Sequence, residues 1–177
     1  LYSSIERRIA PIDSVDPEYI HLISSVNLAN AQYELESIQN PASSLYFFGA
    51  IVVRLTHLFS SNKVNLTDDF LTHPEKYLLV FRISLILITF ISILFLGLII
   101  YKYTKNIFQC MFLQAIPFVS FEILNSSTII CPENLLVILM VWYIVLLVIL
   151  TKGFIKESKI VIYFSIITGL GCATKLT

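Results

Sequence analysis

Residues 77–101, YLLVFRISLILITFISILFLGLIIY, form an apolar run that carries a single charged side chain, Arg82. A helix that crosses a bilayer needs about 20 predominantly apolar residues, and this run supplies them. Three further stretches follow. IFQCMFLQAIPFVSFEIL (107–124) is shorter and holds Pro117 and Glu122, whereas LLVILMVWYIVLLVIL (135–150) is apolar throughout. IVIYFSIITGLGCA (160–173) lies close to the last residue, Thr177. Across the chain 56% of residues are apolar and 14% charged, where soluble domains carry about a quarter charged residues. The expectation is an all-α integral membrane protein with about four transmembrane helices, near 77–101, 107–124, 135–150 and 160–174.

The breaks between these stretches orient them. KYTKN (102–106) and TKGFIKESK (151–159) hold Lys102, Lys105, Lys152, Lys156 and Lys159 against one acid, Glu157. NSSTIICPEN (125–134) holds no base and one acid, Glu133. Basic loops stay on the cytoplasmic side, so the middle break faces outward. Residues 1–76 then form an extracytoplasmic first loop, and residues 77–177 a transmembrane helix bundle. A loop of that length on the outside implies a preceding span. With Leu1 at its start and Thr177 directly after an apolar run, the chain is expected to be a fragment of a longer one.

Within the first loop, PASSLYFFGAIVVRLTHLF (41–59) is apolar enough to enter lipid, but Arg54 and His57 make full insertion expensive. An interfacial amphipathic helix near 42–59 fits better. Asp16-Pro17-Glu18 opens a helix near 16–30: Asp caps free amides, Pro suits the first turn and Glu favours the positive end. Tyr19, Leu22, Ile23 and Val26 follow at helical spacing. Asn65-Leu66-Thr67 is an N-glycosylation sequon on the outer side.

Under this topology Asp13, Asp16, Glu18, Glu122, Glu133 and Lys175 face one membrane boundary, and every acid except Glu157 lies on or near it. Each has a plain structural reading. Asp16 is a helix cap, Pro132-Glu133 opens a span in the same way, and Lys175 is a basic residue snorkelling at a helix end. Glu122 lies within a span, where an ionisable group points to function. The three cysteines and three histidines show no metal-ligand spacing. A formal net charge of zero suggests no nucleic-acid partner.

In their order along the chain these segments resemble the N-terminal part of GT-C-type membrane glycosyltransferases. That group includes the dolichyl-phosphate-mannose protein mannosyltransferases and the bacterial lipid A aminoarabinose transferase. DPEYIHLISSVNLAN resembles the first-loop acid followed by a helix, and YLLVFRISLILI the second span with its Arg. PENLLVILMVWY resembles the acid-bearing start of the fourth span, and GLGCATKLT the Gly-rich end of the fifth. Two features depart from the pattern. QNP (39–41) stands where many relatives carry His-Pro, and Asp16-Pro17-Glu18 replaces the usual Asp-Glu pair.

The resemblance implies inverting transfer of a sugar from a polyprenyl-phosphate carrier to an acceptor hydroxyl on a protein, lipid or glycan. The site would lie at the outer face of the plasma membrane or the endoplasmic reticulum. Asp16 would be the catalytic base, with Asp13 and Glu18 as open alternatives. Lys175 would stabilise the leaving phosphate, while Glu133 and Glu18 complete substrate binding. The resemblance fixes no cofactor, and a divalent metal stays an option that so few carboxylates do not establish. Two other readings stand beside this one: a polytopic transporter, or a non-catalytic membrane assembly subunit.

Overall fold

The computed structural model describes residues 17–32, 42–60, 65–119, 129–151 and 157–174. These form seven α-helices, and no strand occurs among the described residues. In chain order they are α1 (Pro17–Ala29), α2 (Ser43–Leu58), α3 (Leu66–Thr72), α4 (Pro74–Thr104), α5 (Ile107–Val119), α6 (Pro132–Thr151) and α7 (Glu157–Thr174).

Helix α1 stops because its chain turns left-handed at Ala31, φ 59°. The Gln32 N–H then reaches back to the Asn27 carbonyl at 2.9 Å and the Ala31 N–H to Leu28 at 3.0 Å. These two bonds satisfy carbonyls that a helix end leaves open. Helix α2 runs parallel to α1. The His21 and Tyr46 rings lie 5.7 Å apart, Ser25 meets Gly49, and Arg54 Nε donates to the Ala29 carbonyl at 2.8 Å. Arg54, the charge that argues against full insertion of α2, thus closes the negative end of α1.

Helix α2 is two-faced. Leu45, Tyr46, Gly49, Val52 and Val53 are buried, while Phe47, Ile51, Leu55 and Leu58 are exposed at the spacing of one helical face. The close approach of α1 and α2 depends on Gly49. A Cβ there would collide with the Ser25 hydroxyl and lie 2.7 Å from Cζ of Phe81. Ser25 has little room to yield, since its hydroxyl donates to the His21 carbonyl at 2.7 Å.

Helix α4 has 31 residues, which at 1.5 Å per residue is about 46 Å. That exceeds the roughly 30 Å of a bilayer's hydrocarbon. Its two halves serve different cores. Tyr77, Leu78, Phe81 and Leu85 join Leu22 and Val26 of α1, Tyr46 and Val53 of α2, Phe70 of α3 and Ile130. Ile93, Leu96 and Ile100 instead pack with Cys110 of α5 and Val141 and Val145 of α6. Lys105, left-handed at φ 54°, ends α4, and the Asn106 carboxamide caps α5 by accepting from the Phe108 N–H at 3.0 Å. Gly97 makes room for the Gln114 amide, which donates to the Ile93 carbonyl at 3.1 Å. Trp142 of α6 donates to Ser92 at 3.2 Å, and the Tyr143 ring of α6 meets Phe164 of α7 edge-on at 4.8 Å.

Helices α4 and α6 are long and apolar enough to cross a membrane. A core helix of a soluble protein would be mostly buried, but only 33% of the most apolar stretch of α4 and 28% of that of α6 is covered. Leu87, Phe90, Leu94, Leu98, Met140 and Leu147 stand exposed along them. These two helices correspond to the first and third expected spans. The described part of the second is α5, 13 residues long, and the apolar part of the fourth is Val161–Thr174.

Gly49→Ala is expected to destabilise the fold by about 1–3 kcal/mol through overpacking. Ser25→Gly in the same chain should restore part of the loss. Thermal unfolding in detergent reads both.

Candidate functional site

A carboxylate in the first turn of α1 meets a guanidinium inside α4. Glu18 and Arg82 are both buried, at 2% and 7% exposure. Glu18 Oε1 accepts from Arg82 Nε at 3.0 Å, and Oε2 accepts from Arg82 Nη2. Two parallel bonds of this kind are the strongest geometry an Arg–carboxylate pair adopts. Oε1 also accepts from the backbone N–H of Ile130, at 2.5 Å, in the segment that leads into α6. One carboxylate therefore joins α1, α4 and the entry to α6. Both of its oxygens are occupied by donors from the protein.

Glu133, in the first turn of α6, is half-buried, and its charge reaches His21, as does that of Glu18. Burial lowers the His21 pKa, and Glu133 and then Glu18 pull it back up. Desolvation is the larger effect, so the imidazole is neutral at pH 7. Its Nδ1 is buried and has no hydrogen-bond partner among the described residues. Cys131 is also next to this cluster, and burial pushes its thiol up to about 12.

The C-terminal end of α7 arrives at the same place. Ser43 at the start of α2 donates to the Ala173 carbonyl at 2.8 Å, and Ser44 donates to Leu170 at 3.1 Å. Thr174 is buried there, its hydroxyl bonded to Leu170 at 2.7 Å. The starts of α1, α2 and α6 and the end of α7 thus meet at one end of the molecule. Of the residues singled out in the sequence, Glu18 and Glu133 fall in this meeting place. Asp13, Asp16, Glu122 and Lys175 lie outside the described residues, as does QNP (39–41).

A second buried carboxylate sits at the other end of α2. Asp69 of α3 is 1% exposed, accepts from the Tyr77 hydroxyl at 2.5 Å and lies 3.3 Å from Nδ1 of His57. The Tyr77 hydrogen bond is the main force holding its pKa down at about 2, against burial, with help from His57, Ser60 and Lys76. This cluster ties α2, α3 and α4 together. Among the described residues no group of three or more His, Cys, Asp and Glu side chains is arranged to hold a metal ion.

Sequence reasoning does not find the Glu18–Arg82 pair, although a signal for it exists. An Arg inside an apolar run needs a counter-charge, and Glu18 is one of the acids that the charge pattern puts at that boundary. The Asp69–Tyr77–His57 cluster leaves no such signal, because each residue is ordinary in its own segment. No protein-family model matches the chain, and neither a curated protein nor a solved structure matches it.

Breaking the pair from one side strands a buried charge. Arg82→Met is expected to destabilise the fold by about 3–5 kcal/mol, and Glu18→Gln/Arg82→Met by clearly less than Arg82→Met alone. A double-variant loss equal to the sum of the Glu18→Gln and Arg82→Met losses, measured by denaturant unfolding, would show the pair to be uncoupled. At the second carboxylate the folded pKa lies below the ordinary 3.8, so its stabilisation is complete above about pH 5 and disappears as pH falls toward 2. The shift corresponds to about 2 kcal/mol. Asp69→Asn should lose about that much stability at neutral pH and flatten the acid limb of the unfolding curve.

Proposed function

We propose that the chain is part of a membrane glycosyltransferase that moves a sugar from a polyprenyl-phosphate carrier to an acceptor hydroxyl at the extracytoplasmic face. In this reading α4 and α6 span the bilayer, and α5 and α7 belong to two further spans. Residues 1–76 form the outer loop, with α2 at the interface. The observation that carries it is the meeting of helix ends. Three helix starts, two acids, the Arg82 guanidinium and a neutral imidazole gather at one end of the bundle, while the exposed flanks of α4 and α6 are hydrocarbon. A carrier with a lipid tail and a phosphate head needs that combination. Its tail remains in the bilayer and its reacting carbon sits at the boundary.

The reaction sets the roles. An acceptor hydroxyl becomes a competent nucleophile once a carboxylate takes its proton. The new C–O bond forms on the face opposite the carrier phosphate, and the old anomeric C–O bond breaks with its electron pair going to the phosphate. Glu18 is held by Arg82 and Ile130, so we assign it a positioning role and give the base to Asp16, with Asp13 as the alternative. Lys175 stabilises the phosphate as it gains charge. Glu133 contacts the acceptor. Helix starts at the same end offer positive dipole ends to an anionic head group.

The test uses the full-length protein in membranes with polyprenyl-phosphate-linked sugars, following donor consumption. Asp16→Asn keeps a helix cap and removes the base, and should reduce turnover at least about a hundredfold at normal expression. Unchanged turnover would make Asp16 a cap only and transfer the role to Asp13. Failure of the wild type with every donor would leave a transporter or a non-catalytic assembly subunit.

A further inference from the structure

Between α2 and α4 lies an open groove of about 330 Å3. One wall is Val52, Leu55 and Phe59, the other Val80 and Ser84, and Lys76 stands at its mouth. Residues 76, 80 and 84 stack at successive turns of α4, so the groove follows the helix for about 12 Å from near its N-terminal end. Leu55 and Phe59 are also exposed, as are Phe47, Ile51 and Leu58, so the groove opens into the apolar side of α2. Lys76 is exposed, donates to the Ser60 hydroxyl at 3.2 Å and lies 5.8 Å from the Tyr77 ring centroid. Among the described residues it forms no ion pair. Its charge reaches Asp69, whose Oδ2 is bonded by Tyr77 and His57.

A cation at the aqueous end of an apolar channel beside a spanning helix matches one ligand chemistry, an anionic head on an aliphatic tail. We propose that this groove holds one acyl chain of an anionic bilayer phospholipid, with its phosphate at Lys76. The bound lipid fastens α2 to the membrane surface and fills the gap between α2 and the first turns of α4. The inference rests on the reading of α4 as a spanning helix.

The experiment places the full-length protein in nanodiscs containing phosphatidylglycerol with a photoreactive group on its acyl chain, and maps the labelled residues by mass spectrometry. Label should concentrate at residues 52–59 and 80–84 beyond the general labelling of residues 87–98. Val80→Trp, which fills the groove, should remove the first and spare the second. Thr56→Phe, filling it from the α2 side, should do the same in a chain that melts normally. Lys76→Gln should reduce the preference for phosphatidylglycerol over phosphatidylcholine about fivefold. Label spread evenly along α4 and indifferent to both filled variants would overturn the proposal. So would displacement of the phospholipid by equimolar polyprenyl phosphate, which would give the groove to the carrier. Absence of label at residues 87–98 would remove the membrane reading and the groove proposal with it.

Discussion

The Glu18 carboxylate and the Arg82 guanidinium are both removed from water, and neither tolerates that removal without the other. Burying an ion costs several kcal/mol even after relaxation, so a fold that separated them would carry two such penalties at once. Their pairing is therefore a constraint on geometry more than a source of net stability. With its second partner, the Ile130 N–H, Glu18 fixes the first turn of α1 against the middle of α4's first half and against the entry to α6. Apolar packing has no equivalent directionality. Leu22, Phe81 and Ile130 could slide against one another by a turn and still bury similar area, but a bidentate pair and a third hydrogen bond could not follow.

From that anchor the architecture divides along α4. Its first half belongs to a layer made with α1, α2 and α3, and its second half to a bundle made with α5 and α6. Close helix approach in both parts depends on a missing side chain. Gly49 admits Ser25 and Phe81 in the first, and Gly97 admits the Gln114 amide in the second. In hydrocarbon there is no hydrophobic drive to bring helices together, so such small-residue contacts and interhelical hydrogen bonds such as Gln114 to Ile93 and Trp142 to Ser92 carry more of the association.

What the sequence makes legible follows from the range of each interaction. The apolar runs of α4 and α6, the Asp-Pro-Glu start of α1 and the two-faced pattern of α2 are local, and the helices form where composition and spacing put them. Helix α3 was hidden because seven residues, LTDDFLT, are too short to establish a period, and its two acids read as a solvated loop. Arg82 and Glu18 are 64 residues apart, and no spacing rule connects them. Asp69 carries no sign of burial in sequence, yet α2 and α4 close over it and supply His57 and Tyr77 as partners. Glu18 and Glu133 each open an apolar helix in the sequence, and the structure brings both charges within reach of His21.

The two buried carboxylates differ in how their oxygens are bonded. Glu18 has protein donors on both oxygens, whereas Asp69 takes its bonds on Oδ2 and its buried Oδ1 has no hydrogen-bond partner among the described residues. His21 resembles Asp69 in this: it lies within reach of the charges of Glu18 and Glu133, burial lowers its pKa, and its buried Nδ1 has no hydrogen-bond partner among the described residues. A buried imidazole nitrogen without a hydrogen bond is costly in a finished core, typically about 1–3 kcal/mol. Among the described residues the fold carries that cost at two places, the meeting of helix ends and the α2–α3–α4 junction.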